Sequence, residues 1–272
     1  MTSNENPIGI FDSGVGGLSI LTAINKLLPQ ENLIYLADSL YMPYGEKSEQ
    51  QIKIRVLSAA EHFIKHNVKA MVIACNTATA AAVNQLRENY AIPIIGLEPA
   101  IKPAIEHSVS KRIGVLATNA TLSSQKYLDL KRQYGSGVEI IEKASPLFVD
   151  IVESAPIIDE DKREVIENEL STFISQQIDC LVLGCTHYPF LTETISEIMG
   201  IQVALFESGI PVAQELKRRL GSQLNNRLND KLNSCANASR IKYFSSAPDA
   251  AQTTFNKIIG GEVELLEWLT SN

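Results

Sequence analysis

Residues Leu181-Val182-Leu183-Gly184-Cys185-Thr186-His187-Tyr188-Pro189-Phe190-Leu191 form an apolar run that stops abruptly in a cysteine, a threonine and a histidine. A short buried strand bounded in this way delivers polar side chains at its carboxyl end. An earlier stretch, Ala70-Met71-Val72-Ile73-Ala74-Cys75-Asn76-Thr77, ends likewise, and Cys75 to Cys185 is an offset of 110 residues. A second pair, Ile8 to Ser13 and Ile113 to Thr118, matches at an offset of 105. Two offsets this close indicate an internal duplication. The expected fold class is α/β: two similar three-layer domains with mainly parallel sheets, related by pseudo-two-fold symmetry, with the active site in the cleft between them.

Outward from these strand ends the chain alternates strands and helices. Ile8 to Phe11 leads into Asp12-Ser13-Gly14-Val15-Gly16-Gly17, and Leu18, Leu21, Ile24, Leu27 and Leu28 follow at helical spacing. The glycines suit a tight turn that packs helix on strand. A phosphate loop would need Gly-Lys-Ser/Thr after them, which the chain lacks. Asp12 and Ser13 sit at the carboxyl end of a first strand, where open α/β sheets bind ligands. The loop Asp38 to Ser48, with Pro43-Tyr44-Gly45, is expected to line a cleft. A helix from Ser48 to His66 is expected to leave His62 and His66 on a solvated face. Asn76 and Thr77 read as caps of a helix running to Tyr90. In the second half, strands are expected at Arg112 to Ala117, Val138 to Ile141, Cys180 to Gly184 and Val203 to Phe206. Helices are expected at Ser123 to Tyr134, Pro146 to Glu153 and Asp159 to Gln177. Glu207-Ser208-Gly209 echoes Asp12-Ser13-Gly14 and opens another helix, so the tail is expected to return to the first half. The expected domains are 1–97 with 208–272, and 98–207. The Asn-rich segment Ser222 to Ser239 reads as a surface loop or linker, with Cys235 an incidental thiol.

Composition narrows the function. A net charge of −7 gives no nucleic-acid footprint, which needs clustered Lys and Arg. No apolar stretch approaches the roughly 20 residues of a membrane helix, and no export signal is visible. Four cysteines in such a chain are expected to be reduced thiols in a cytoplasm.

Cysteine alone is usually an inert core residue. Two cysteines at matching strand ends, one followed by Asn76-Thr77 and the other by Thr186-His187, are not usual core cysteines. A metal site built on Cys180, Cys185 and His187 is disfavoured, because Cys180 faces the opposite side of its strand and no Cys-x-x-Cys spacing is present. Single-thiol nucleophilic catalysis leaves Cys75 without a role. Two thiols facing one carbon suit racemisation, in which one removes the α-proton and the other returns a proton to the opposite face. At an ordinary thiol pKa, forming the thiolate at pH 7 costs only about 2 kcal/mol. Stabilising the planar intermediate then falls to donors such as Ser13, Asn76, Thr77, Thr118, Thr121 and Thr186. Asp12 beside Cys75, and Glu153 or His187 beside Cys185, are placed to exchange protons with the thiols.

Phe11-Asp12-Ser13-Gly14-Val15-Gly16-Gly17, Pro43-Tyr44-Gly45, Ala74-Cys75-Asn76-Thr77-Ala78 and Leu183-Gly184-Cys185-Thr186-His187-Tyr188-Pro189 resemble the signatures of the glutamate racemases, and the likeness spans nearly the whole chain. The resemblance implies a cofactor-independent bacterial amino-acid racemase that supplies D-glutamate for peptidoglycan. It implies Cys75 and Cys185 as the acid/base pair, assisted by Asp12, Glu153 and His187, and no metal. It assigns substrate contacts to Asp12, Ser13, Pro43, Tyr44, Gly45, Cys75, Asn76, Thr77, Thr118, Thr121, Cys185, Thr186 and His187. As partners it implies glutamate, a peptidoglycan-precursor activator in some members and a homodimer in some, with neither nucleic acid nor membrane. The alternatives are an aspartate or hydantoin racemase of the same superfamily, or a flavodoxin-like module that uses Asp12 to Gly17 to bind an anion.

Overall fold

A computed structural model describes residues 4–154, 157–225 and 241–269. The segment around Cys235 lies outside the described residues. In chain order the elements are β1 (Ile8–Asp12), α1 (Leu18–Leu27), β2 (Leu33–Ala37), α2 (Glu49–Lys65), β3 (Ala70–Ile73), α3 (Asn76–Asn89), β4 (Ile94–Gly96) and α4 (Ile101–His107). Then follow β5 (Arg112–Ala117), α5 (Asn119–Ser123), α6 (Gln125–Tyr134), β6 (Glu139–Ala144), α7 (Pro146–Ser154), α8 (Glu160–Ser175), β7 (Cys180–Leu183), α9 (Thr192–Met199) and β8 (Ala204–Phe206). The chain returns through α10 (Gly209–Leu220), β9 (Ile241–Ser245), α11 (Pro248–Ile259) and β10 (Leu265–Glu267).

Two sheets result, ordered β10-β9-β2-β1-β3-β4 and β6-β5-β7-β8, and every pairing among the described residues is parallel. Helices cover both faces, so the strands are apolar on both sides. Along β1, Ile8 and Ile10 enter one apolar cluster while Phe11 enters another. Likewise Cys180 and Val182 of β7 face the cluster of Ile113 and Val115, and Leu181 and Leu183 face the opposite layer.

The duplication extends well beyond the two sequence matches. The order β2-β1-β3-β4 repeats as β6-β5-β7-β8, and Ile8 pairs with Ala70 as Ile113 pairs with Cys180. Gly9 of β1 admits the ring of Phe63, and Gly114 of β5 admits Phe173; in each case an added Cβ would come within 2.8 Å of the ring. Two residues past the end of the helix carrying each aromatic stands a residue with positive φ, Asn67 (54°) and Gln177 (53°). Four packing features thus recur at nearly the same spacing as the thiols, so each lobe presents its strand ends alike.

Several expectations need correction. Sequence reading missed α4 and α9, although consecutive parallel strands require crossover segments. Pro103 lies in the first turn of α4, where a missing N–H costs little, and α9 has only eight residues, two turns of periodicity. The helix expected at Ser123 to Tyr134 is α6, which starts at Gln125 with Ser124 as its cap; the short α5 before it was also missed. His62 and His66 do not lie on a solvated face: both are half-buried, stacked on each other at 4.3 Å and edge-on to Phe244. On the same helix Ile64, though apolar, is exposed. The tail does return to the first sheet: β9 pairs with β2, and α10 packs on α1.

Candidate active site

Cys75 follows β3 and is itself the N-cap of α3, its Sγ accepting the Ala78 N–H at 3.4 Å. Asn76 and Thr77, expected as caps, are instead the first helical residues and turn toward the cleft. Cys185 follows β7 in the other lobe, and its Sγ lies 3.6 Å from His187 Nδ1. Both sulfurs line one narrow cleft, together with Ser13, Pro43, Tyr44, Gly45, Asn76, Thr77, Thr118, Thr121, Thr186 and His187. Sequence reading missed Met42, Val149 and Gly184, which complete the lining. Those three carry no polar side chain that a motif would flag. No lysine or arginine is among the lining residues.

Asp12 and Glu153 stand behind this lining. Asp12 is fully buried; its Oδ1 accepts from the Gly14 N–H at 2.9 Å and the Ser13 hydroxyl at 3.2 Å, and its Oδ2 accepts from Thr186 Oγ1 at 2.9 Å. Ser13 Oγ also lies 3.8 Å from Cys75 Sγ, so Asp12 reaches that thiol through Ser13. Glu153 Oε1 accepts from His187 Nε2 at 2.6 Å and from the Val15 N–H at 2.9 Å. Glu153 therefore acts on Cys185 only through His187. Thr77 and Thr118 hydroxyls meet at 3.1 Å, and Ser19 Oγ donates to the Thr186 carbonyl at 3.0 Å. Each of the Asp12–Thr186, Val15–Glu153, Thr77–Thr118 and Ser19–Thr186 bonds joins the two lobes and holds the cleft closed.

This closure explains the glycines after β1. A Cβ at Gly16 would lie 2.5 Å from both His187 Nδ1 and Thr186 Oγ1, and one at Gly14 would collide with Glu153. Gly14 and Gly16 are needed because side chains of the second lobe press against their backbone, whereas Gly17 makes room for Asp12 and Tyr35 of its own lobe.

Electrostatics distinguish the thiols' surroundings. Burial, with Asp12 nearby, pushes the Cys75 thiol up to about 12. At that value forming its thiolate at pH 7 costs about 7 kcal/mol, well above the 2 kcal/mol expected for an unperturbed thiol. Burial alone would push His187 down, but its bonds to Cys185 and Glu153 outweigh it and hold the imidazole well above its ordinary value. A protonated His187 donates from Nε2 to Glu153 and from Nδ1 toward Cys185. Burial also raises Asp12, against the opposing effects of His187, the Gly14 N–H and Thr186.

The Cys75 shift has a measurable consequence. The folded state holds this proton more tightly than the unfolded chain, so the associated stability is intact below about pH 9 and is lost as pH rises toward 12. Carbamidomethylation of Cys75 in folded protein, followed by peptide mass, should be negligible at pH 8 and rise about tenfold per pH unit above it. Saturating modification at pH 8 would contradict the assignment.

A repeated α/β lobe that sends one thiol from each copy into a shared cleft defines the racemase class of α/β isomerases. Residues 8–210 match the Asp/Glu/hydantoin racemase family, and the chain belongs to it. Over 220 residues it is 46% identical to the glutamate racemase of Methylococcus capsulatus, covering 81% of each chain. Its fold is similar to that of Escherichia coli glutamate racemase, solved in complex with L-glutamate and the activator UDP-MurNAc-ala. There the TM-score is 0.86 at 27% identity, over 98% of this chain and 100% of that one. The Francisella tularensis glutamate racemase, solved with D-glutamate, gives 0.82 at 30% identity over 98% of each chain. Among the described residues no helix is long and apolar enough to cross a membrane.

Proposed function

We propose that this protein interconverts L- and D-glutamate by a two-thiol mechanism and supplies D-glutamate for peptidoglycan. The observation that carries this reading is that Cys75 and Cys185, one from each lobe, line the same closed cleft. One thiolate takes the α-proton, and the opposite thiol delivers another to the far face of the planar intermediate. Because the enantiomers have equal free energy, kcat/KM must be the same in both directions, which a pair of thiols of one chemical kind serves well.

The substrate's ammonium group enters where Asn76 Oδ1 is buried without a partner. A positive charge within roughly 4–6 Å of a thiolate stabilises it, so bound substrate offsets part of the cost of ionising Cys75. The substrate carboxylates meet neutral donors: backbone N–H groups and the mutually bonded hydroxyls of Thr77, Thr118 and Thr121, which can turn toward them. His187, fixed by Glu153, exchanges the Cys185 proton, and Ser13 with Asp12 serves Cys75 in the same way. In this reading, residues 1–97 with 208–272 and residues 98–207 are the two domains. The protein acts in the cytoplasm as a homodimer, and an activator of the kind bound in the Escherichia coli complex, UDP-MurNAc-ala, is in keeping with this reading.

Circular dichroism of L-glutamate and L-aspartate solutions incubated with purified protein tests the substrate. Glutamate should be racemised about 10- to 200-fold more efficiently than aspartate, the discrimination one methylene provides in a closed pocket. Faster turnover of aspartate would reassign the substrate within the family.

A further inference from the structure

The buried ion pair Asp38–Arg55 takes no part in proton transfer, yet its bonds lead to the rim of the cleft. Asp38 follows β2, is fully buried, and donates its backbone N–H to the Asp12 carbonyl at 2.9 Å. Its Oδ2 accepts from the Tyr44 hydroxyl at 2.6 Å and Arg55 Nε at 2.8 Å. Its Oδ1 accepts from Arg55 Nη2 at 2.7 Å and Ser246 Oγ at 2.8 Å. One carboxylate thus joins α2, the residue after β9, and the loop that carries Pro43, Tyr44 and Gly45 into the cleft.

The guanidinium is held in turn. Arg55 Cζ lies 3.9 Å from the Tyr41 ring centroid and 4.8 Å from that of Trp268, the residue after β10. Among the described residues strands β9 and β10 have no counterpart in the second sheet, and they bring Ser246 and Trp268 to this pair. A planar fork that binds a carboxylate through two nitrogens and stacks on aromatic rings is a role lysine cannot fill.

We propose that Asp38 and Arg55, braced by Trp268, are positioning residues that fix Tyr44 and with it the Pro43-Tyr44-Gly45 rim against bound substrate. A pair kept for stability alone could be exchanged for apolar residues without loss. This pair terminates on a cleft-lining side chain, and its partners come from the two strands that break the symmetry of the lobes. The rim contacts substrate in both enantiomeric forms and in the intermediate equally, so losing its anchor weakens uniform binding and raises KM with little change in kcat.

The inference rests on the glutamate reading, and its test keeps the two apart. Steady-state racemisation and thermal midpoints are measured for the wild type, Tyr44→Phe, Arg55→Lys and the double variant Asp38→Leu with Arg55→Met. Tyr44→Phe removes only the hydroxyl that Asp38 anchors; the double variant removes both charges together and leaves neither unpaired. Both should raise KM about tenfold with kcat within about threefold, the double variant at a midpoint near that of the wild type. Arg55→Lys, which keeps the charge but loses the fork, should also raise KM, and a wild-type KM there would count against the role given to the guanidinium. A wild-type KM in Tyr44→Phe, or in a folded double variant, overturns the proposal, as does a fall in kcat at unchanged KM. Wild-type protein that leaves glutamate unchanged overturns the functional reading itself.

Discussion

Replacing Cys75 by serine should lower racemisation at least about a thousandfold while leaving one partial reaction intact. General acid–base groups contribute roughly 10²- to 10⁴-fold each, and a serine hydroxyl is far too weak an acid to protonate the intermediate as the thiol does. Inversion then stops, but Cys185 and its partner His187 remain in place at 3.6 Å. For the enantiomer whose α-hydrogen faces Cys185, the proton can still be taken and returned on the same side. The Cys75→Ser protein should therefore exchange that enantiomer's α-hydrogen with deuterated water without inverting it. Cys185→Ser should do the same for the other enantiomer only. Proton NMR on each pure enantiomer reads this directly. Both substitutions are nearly isosteric, so unchanged far-ultraviolet dichroism would exclude misfolding. Full turnover in both directions by either variant would remove the two-thiol assignment.

Gly16→Ala should have the next largest effect, although it adds one methyl group to a residue with no chemistry. That methyl meets His187 Nδ1 and Thr186 Oγ1 at 2.5 Å. Both side chains are almost fully buried, so neither can swing into solvent; the ring moves off Cys185 or the lobes part. A misplacement of about 1 Å at a reacting centre can cost about a hundredfold in rate, and kcat/KM should fall by about that factor. Overpacking costs typically about 1–3 kcal/mol, so the protein should still fold. A variant with wild-type kcat/KM would show that the closed arrangement of Gly16 against His187 is not the working one.

These two residues also show what the sequence disclosed and what it hid. The thiols were legible because each ends an apolar run, and the repeat made their pairing visible. The reason for Gly14 and Gly16 was not legible, since the groups that need the space, Glu153 and His187, arrive from more than a hundred residues away. Arg55 reads in sequence as one more charge on an amphipathic helix. Only the fold brings it between Tyr41 and Trp268, residues from opposite ends of the chain. The cap of α3 was misplaced because a cysteine is not an expected cap; the sulfur takes that bond while Asn76 and Thr77 face the cleft. The ionisation cost of Cys75 was underestimated for a related reason: burial, its largest cause, is a property of the closed cleft.

The central claim is that the two sulfurs work on one carbon from opposite sides, and the isotope content of the first product formed tests it most directly. Protiated L-glutamate is incubated with the protein in deuterated water and sampled before a tenth has turned over. With separate acid and base, the D-glutamate formed should carry deuterium at Cα, while the remaining L-glutamate keeps its hydrogen. D-glutamate that retains the original hydrogen would mean that a single group carries the proton from one face to the other, and the paired-thiol account would fail.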